Sequence, residues 1–342
     1  MRSNTHRQQG KRVLILGTGM FAITLANEIL ERPQCGMVII GLVSEHAKSS
    51  VYTVKFPLLG EIKDLSRIIL EHKPDRIIVT LDDHVLMEHC HRLVEEKYFR
   101  QLQVDDGEEF YESLTGKLAI DTLSHRSLML SKDFQLPVST QIMSRIYSLI
   151  FAGAGILVTA PLMLLIAILI KIDSPGPVLF VQSRIGLANK PFNLFKFRTM
   201  HPATGKTSEW VCDNANRITR VGRILRKFRL DELPQFFNVL LNDMNIVGPR
   251  PHPVSNYELY ALVSRNTPES GTPIPYYYLR CLVRPGITGW AQIKYRYANN
   301  LAEEIEKLRF DLYYIKHYSL WLDARIMLET IKVVVLGHEQ RY

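Results

Sequence analysis

Ile146-Tyr-Ser-Leu-Ile-Phe-Ala-Gly-Ala-Gly-Ile-Leu-Val-Thr-Ala-Pro161-Leu-Met-Leu-Leu-Ile-Ala-Ile-Leu-Ile170 divides the chain into two unlike parts. The run carries no charged residue, and Arg145 and Lys171 bracket it. At a rise of about 1.5 Å per residue it is long enough to cross a bilayer, which takes roughly 20 apolar residues. A buried core helix rarely stays uncharged over such a length. Pro161, near the middle, removes a helix hydrogen bond and bends the axis. Arg126, Lys132 and Arg145 precede the run, and Lys171, Arg184, Lys190 and Lys196 follow it. Positive charge on both flanks places both in the cytoplasm. A helix broken at Pro161, entering and leaving by one face, satisfies both observations. The sequence therefore predicts a re-entrant hairpin at about 145–171.

Ahead of this run, Val13–Leu16 reads as a strand, Gly17-Thr-Gly19-Met-Phe-Ala22 as a glycine turn, and the stretch to about Arg32 as a helix. That order opens a βαβ unit, in which amides at a helix start can hold a phosphate. Val38–Val43 and Ile77–Thr80 read as further strands, Leu65–His72 and Val85–Glu96 as helices. Alternation of this kind predicts a parallel sheet covered on both faces. Gly17 and Gly19 are candidate nucleotide contacts. The second strand, however, ends at Ser44-Glu45 without a clear ribose-binding Asp, so a purely structural or regulatory domain stays equally open. Neighbouring helix residues point in different directions, so His89-Cys90-His91 reads as helix surface, not as a metal site. From about Gln101 to Pro137 the pattern is irregular, and Ser131–Thr140 reads as a linker.

Length and composition agree with two domains, divided here as 1–132 and 133–342. A formal charge of +8 points to an anionic partner. Cys35, Cys90, Cys212 and Cys281 form no CxxC pair, which suits free thiols in a reducing compartment. The opening residues through Arg12 are polar and basic and lead straight into a strand, so the N-terminus is expected to stay in the cytoplasm.

Beyond the apolar run the chain is rich in rigid turns and cations. Ser174-Pro-Gly-Pro, Gln182-Ser-Arg184-Ile-Gly186 and Phe195-Lys196-Phe-Arg198-Thr-Met200 come first. Arg220, Arg223 and Lys227 recur on one face of a helix. No base-stacking or groove-reading motif accompanies them, which argues against nucleic acid; beside a membrane segment they suit lipid headgroups. Leu230-Asp231-Glu232-Leu-Pro234-Gln235 reads as a helix start, where Asp231 could be an N-cap or a group working beside a bound phosphate. Arg250, in Gly248-Pro-Arg250-Pro251, is held on a stiff backbone suited to bidentate phosphate contact. Arg284-Pro-Gly286-Ile-Thr-Gly289-Trp-Ala-Gln292 is another rigid turn carrying a cation. Ala302–Phe310 and Leu320–Leu336 are amphipathic, with Tyr313, Tyr314, Tyr318 and Trp321 nearby; core helices and a membrane interface both fit.

Together, the hairpin with Ser174-Pro-Gly-Pro, Lys196-Phe-Arg-Thr-Met, Leu230-Asp-Glu-Leu-Pro-Gln, Val247-Gly-Pro-Arg-Pro, Arg284-Pro-Gly-Ile-Thr-Gly-Trp-Ala-Gln and Asp311-Leu-Tyr-Tyr-Ile-Lys316 closely resemble the bacterial sugar transferase family, the monotopic polyprenyl-phosphate phosphoglycosyl transferases. They run in family order from about Arg145 onward. His252 and Pro275-Tyr-Tyr-Tyr-Leu-Arg280 look most like the exopolysaccharide-assembly branch. The N-terminal third resembles the nucleotide- or coenzyme-A-binding-like domain of the large family members.

The resemblance implies an α/β chain: a Rossmann-like parallel-sheet domain, then a mainly α-helical monotopic membrane catalytic domain with a Pro-kinked re-entrant helix. It also implies transfer of a sugar 1-phosphate from a UDP-sugar to undecaprenyl phosphate, with UMP released. Asp231 would be the nucleophile that carries a phosphosugar, and Glu232 would hold Mg²⁺. Lys196, Arg198, Arg250 and Arg284 would surround the diphosphate, and Asp311 matches a further family acid. The enzyme would sit in the bacterial inner membrane, both domains facing the cytoplasm; a homodimer is compatible with the sequence.

Some positions depart from the family pattern. The kink is Ala160-Pro161 where the family usually has Ser-Pro, with Thr159 the nearest hydroxyl, and Ser148 stands where an Asp is frequent. Many relatives carry four N-terminal membrane helices that this chain lacks, so it is either a short form or a shortened one. Two other functions compete. A nicotinamide-dependent sugar-nucleotide reductase or epimerase would need a Tyr-x-x-x-Lys arrangement in the first third, and none is present. A non-enzymatic scaffold of polysaccharide assembly would need no Asp231-Glu232 pair. The irregular stretches His201–Cys212 and His252–Cys281 are where sugar specificity is expected.

Overall fold

The computed structural model describes residues 10–45, 55–81, 102–122, 134–201, 217–254, 276–295 and 301–336. Two compact units divide between His125 and Arg126, a few residues ahead of the boundary expected at 132/133. In the first unit the elements are β1 (Lys11–Leu16), α1 (Met20–Leu30), β2 (Met37–Ser44), β3 (Leu58–Glu61), α2 (Leu65–His72), β4 (Arg76–Val79), β5 (Gln103–Asp106) and α3 (Gly107–Thr115). The strands form one sheet in the order β3-β2-β1-β4-β5, every pair parallel. Alternate residues of β1 explain the layering. Val13 and Ile15 join Leu25, Ile29 and Phe110, whereas Leu14 and Leu16 join Leu65 and Ile68 on the other face. Helices thus cover both faces, as a parallel sheet requires. The predicted helix over 85–96, with His89-Cys90-His91, lies outside the described residues.

The second unit contains α4 (Val138–Asp173), β6 (Leu179–Ile185), β7 (Pro191–Phe197), α5 (Arg220–Lys227), α6 (Gln235–Leu240), β8 (Asn245–Val247), β9 (Gly286–Thr288), α7 (Trp290–Lys294), α8 (Leu301–Lys316) and α9 (Leu320–Leu336). β6 and β7 form an antiparallel hairpin, and β8 pairs with β9 in parallel.

The apolar run differs from the broken helix expected of it. α4 is one 36-residue helix that continues through Pro161. Proline removes a single donor from the ladder; the rest continues, and the Thr159 hydroxyl donates to the Gly155 carbonyl at 2.7 Å. One stripe of α4 stays on the domain along the whole run. Ser144, Ser148 and Ala152 are buried at one end, and Ile166 and Ile170 at the other. Between them Gly155 meets the ring of Phe236 so closely that a Cβ would lie 2.9 Å from it. The remaining faces are apolar and exposed, Leu157 by 79% and Val158 by 76%.

Polar anchors fix the start of α4. Arg145 donates to the carbonyls of Val239 and Met244. Ser148 accepts from the Ile246 amide at 3.2 Å. Asp323 on α9, fully buried, accepts from Ser144, Tyr147 and Tyr314. Of the two amphipathic stretches, α8 is a core helix, burying Leu308, Phe310, Leu312, Tyr314 and Ile315. α9 buries Leu322 and Ile326 but exposes Trp321, Leu328 and Ile331.

Candidate active site

Asp231 and Glu232 occupy a single 3-10 turn, Leu230–Glu232, entered through Arg229 in the left-handed region at φ 54°. That conformation is uncommon for a non-glycine residue. The next helix, α6, starts at Gln235 with Pro234 as its N-cap and no side-chain cap bond. The capping alternative for Asp231 therefore fails: the helix begins too late for its carboxylate to serve it.

The two acids are treated differently. Glu232 is 9% exposed, and its Oε1 takes Arg250 Nη2 at 2.8 Å and Lys196 Nζ at 3.4 Å. Burial alone would raise its pKa, but Arg250, Lys196 and Arg229 overcome that and hold the carboxyl well below the usual range. Asp231 has no hydrogen bond or ion pair among the described residues. Burial, and then the neighbouring Glu232, push its pKa up, against the pull of Lys196, Arg226 and Arg250. Burial brings the Lys196 ammonium down to about 8 in spite of Glu232.

The supports of these groups are local. Buried Asn238 on α6 accepts from the Phe195 amide at 2.9 Å and donates to the Asn193 carbonyl at 2.7 Å, which pins β7, and so Lys196, beside the acids. Arg250 lies between Pro249 and Pro251. A shallow cleft lies here, lined by Arg184, Lys196, Gln235 and Arg250 among others. Three cations around one cleft next to two carboxylates make a place for a polyanion held against an acid. Arg184 was legible only as one of the interleaved cations. Its Nη1 donates to the Pro251 carbonyl at 2.8 Å, a contact between distant segments that spacing does not reveal.

Other expected site residues lie elsewhere. Arg198 is 6% exposed and clamps the turn after α4, donating to the carbonyls of Ser174 and Pro175 and to the Ser174 hydroxyl. Arg284 donates to the Asn242 carbonyl at 3.4 Å. Asp311 is 1% exposed on α8 and pairs with Arg280 at 2.7 Å. Arg220, Arg223 and Lys227 are all exposed along α5, as their spacing predicted. In the first unit Gly17 has φ +126°, and a Cβ there would lie 2.3 Å from Thr80 Oγ1, so close strand approach already accounts for it. Gly19 is the N-cap of α1, with no side-chain cap bond and open space around it.

The chain matches the family model described as Bacterial sugar transferase over residues 139–337. It is 38% identical, over 78% of this chain and 60% of the relative, to the UDP-N-acetylgalactosamine-undecaprenyl-phosphate N-acetylgalactosaminephosphotransferase of Aeromonas hydrophila. Against the UDP-glucose:undecaprenyl-phosphate glucose-1-phosphate transferase of Escherichia coli (strain K12) it is 40% identical, over 58% of this chain and 42% of the relative. With the protein of the same name in Xanthomonas campestris pv. campestris it shares 32% identity across 99% of this chain and 70% of the relative. It thus spans about half the length of the first two relatives. The family match covers most of the second unit, with Asp231, Glu232 and the cations beside them, and the chain belongs to the bacterial sugar transferase family.

Proposed function

We propose that this chain is a phosphoglycosyl transferase that moves a sugar 1-phosphate from a UDP-sugar to undecaprenyl phosphate, as the first membrane step of exopolysaccharide, O-antigen or capsule synthesis. The observation that carries this is the division of labour in the acid pair. Glu232 is neutralised by two cations, while Asp231 beside it has no partner among the described residues. An Asp231 carboxylate oxygen attacks the β-phosphorus, the bond from that phosphorus to the bridging oxygen breaks, and UMP leaves with the electron pair. An oxygen of undecaprenyl phosphate then attacks the aspartyl-phosphosugar and frees Asp231. Partial desolvation leaves the carboxylate more basic and hence a better nucleophile, and the surrounding cations offset its repulsion of the diphosphate. The test is UMP release from common UDP-sugars by the detergent-solubilised chain with Mg²⁺ and undecaprenyl phosphate; no release with any of them overturns the proposal.

Among the described residues no three acidic, His or Cys side chains gather into a metal cage. Glu232 Oε1 is taken by Arg250 and Lys196, whereas its Oε2 makes no hydrogen bond among the described residues. One such carboxylate oxygen, with substrate phosphates and waters, is a donor set that fits Mg²⁺. Glu232 would hold it, and the ion would neutralise charge on the diphosphate.

Membrane residence belongs to the same proposal. α4 is long and apolar enough to cross a bilayer, yet one stripe of it lies on its own domain from Ser144 to Ile170. A simple crossing would carry one end of the helix away from the domain. With α4 unbroken at Pro161, we infer that it lies along the cytoplasmic leaflet of the inner membrane with both flanks on the cytoplasmic side, as the charges around it also favour. Ser139→Cys and Ile172→Cys, in a background without the four native cysteines, should both resist an impermeant maleimide in intact spheroplasts and both react after lysis. Labelling of only one in intact cells would place the flanks on opposite sides.

The pH profile follows from Lys196. With its ammonium titrating at about 8, among Glu232, Asp231, Arg250 and Arg184, the cation is present below that pH and lost above it. Turnover should fall as pH rises through about 8. Lys196→Arg keeps its charge there, so the descending limb should move to higher pH. An unchanged limb in Lys196→Arg would assign it to another group.

A further inference from the structure

Arg250 is fixed at three points. Its Nη2 donates to Glu232 Oε1 at 2.8 Å and its Nη1 to Gln292 Oε1 at 3.2 Å. Its carbonyl oxygen accepts from Arg280 Nη2 at 3.0 Å. Arg280 is 8% exposed, and the same Nη2 lies 2.7 Å from Asp311 Oδ2. Around its Nη1 stand His252 Nε2 at 2.9 Å and the Tyr277 hydroxyl at 3.1 Å, with the guanidinium over the Tyr277 ring. His252 is kept neutral by burial and by Arg280 and Lys307. Its Nε2 faces those two cationic donors, Lys307 Nζ at 3.3 Å, so Nε2 is the acceptor and Nδ1 carries the hydrogen toward Tyr277.

A buried ion pair contributes little net stability compared with apolar residues of the same volume, because desolvation offsets the Coulomb gain. What this pair does have is geometry. Pro249 and Pro251 restrict the backbone on either side of Arg250, so a shift of the Arg250 carbonyl is transmitted to the base of its side chain. We propose that the buried Arg280–Asp311 pair is a positioning element, which holds the Arg250 carbonyl and thereby sets the Arg250 guanidinium on Glu232 and on the incoming diphosphate. Asp311 then acts from inside the domain, through Arg280, and touches no substrate. This role rests on the transferase proposal, in which Arg250 is one of the cations of the cleft.

The test is a double-mutant cycle on UMP release. Replacing the pair by apolar residues, Arg280→Met with Asp311→Leu, removes both buried charges together. It also removes the Arg280 bonds to His252, Tyr277 and the Arg250 carbonyl, so the chain should stay folded with a lowered melting temperature. Activity is therefore read per folded protein. The replacement should lower kcat/KM by about 30-fold, in the range expected when a phosphate-contacting group is slightly misplaced. In an Arg250→Ala background the same replacement should cost less than about twofold, since the group it positions is gone. Equal losses in both backgrounds, or wild-type activity in the folded pair variant, would overturn the proposal. Should the double replacement fail to fold, the isosteric Asp311→Asn goes through the same cycle with the same two outcomes. If the wild type released no UMP, only the transferase proposal would fall. The positioning role would then be judged on affinity for inorganic pyrophosphate with Mg²⁺, which Arg250→Ala and the pair variant should weaken non-additively; additive weakening, or none, would overturn it.

Discussion

Asp231→Asn should lower UMP release by at least about 10⁴-fold, the scale seen when a nucleophile is removed from a working site. An amide oxygen is a poor nucleophile at phosphorus, and the substitution changes almost nothing else. Asp231 has no hydrogen bond or ion pair among the described residues, and burial and Glu232 already disfavour its charge. Its removal should therefore leave the melting temperature equal or slightly higher. Glu232→Gln should behave differently. It removes the counter-charge of Arg250 and Lys196 together, so stability and activity should fall in parallel. The clearest readout is covalent: with UDP-sugar labelled in the sugar and no acceptor, acid-quenched wild-type protein should retain label and Asp231→Asn should not. Label retained by the variant, or more than a tenth of wild-type turnover, would remove Asp231 from the role.

The same acid pair shows what the sequence made legible. Its neighbourhood was readable because strong local signals, proline and glycine turns and cations at short spacing, fall close together along the chain. The geometry around it was not readable, because it depends on residues far apart in sequence. Lys196 and Arg198 sit two apart in one string and look alike. Lys196 is still on β7 and reaches Glu232, 36 residues on. Arg198 lies just past the strand end and turns to Ser174, 24 residues back. In the first unit β1, β2, β4 and α2 were legible from their apolar runs. β3 (Leu-Leu-Gly-Glu) and β5 (Gln-Val-Asp-Asp) were not, since edge strands carry too little apolar pattern to stand out. α4 was legible as an apolar helix, but not its continuity through Pro161. Proline imposes a local cost, and the long stripe of contacts that keeps the helix whole is a tertiary fact.

Gly286→Ala should be among the most damaging single methyls in the described part of the second unit. A Cβ there would lie 2.1 Å from the Gly248 amide nitrogen, 2.4 Å from the Thr288 carbonyl oxygen and 2.6 Å from the Val247 carbonyl carbon. All three are backbone atoms, so no side chain can swing aside. The strain cannot be relieved without parting β8 from β9, whose bonds include Gly248 amide to Thr288 carbonyl at 2.9 Å and Gly286 amide to Pro249 carbonyl at 3.0 Å. We expect a loss of roughly 3 kcal/mol or more, at or above the upper end of what overpacking usually costs. The effect should reach the site, because the Pro249 carbonyl bonded to Gly286 belongs to the segment that carries Arg250. Folded survivors should therefore release UMP more slowly than their population alone accounts for. Gly153→Ala is the matched control, since a Cβ there meets nothing within 4 Å and alanine favours a helix interior by about 1 kcal/mol. Thermal unfolding of both variants in detergent decides the matter: equal melting temperatures would mean that the β8–β9 contact yields more easily than its backbone distances allow.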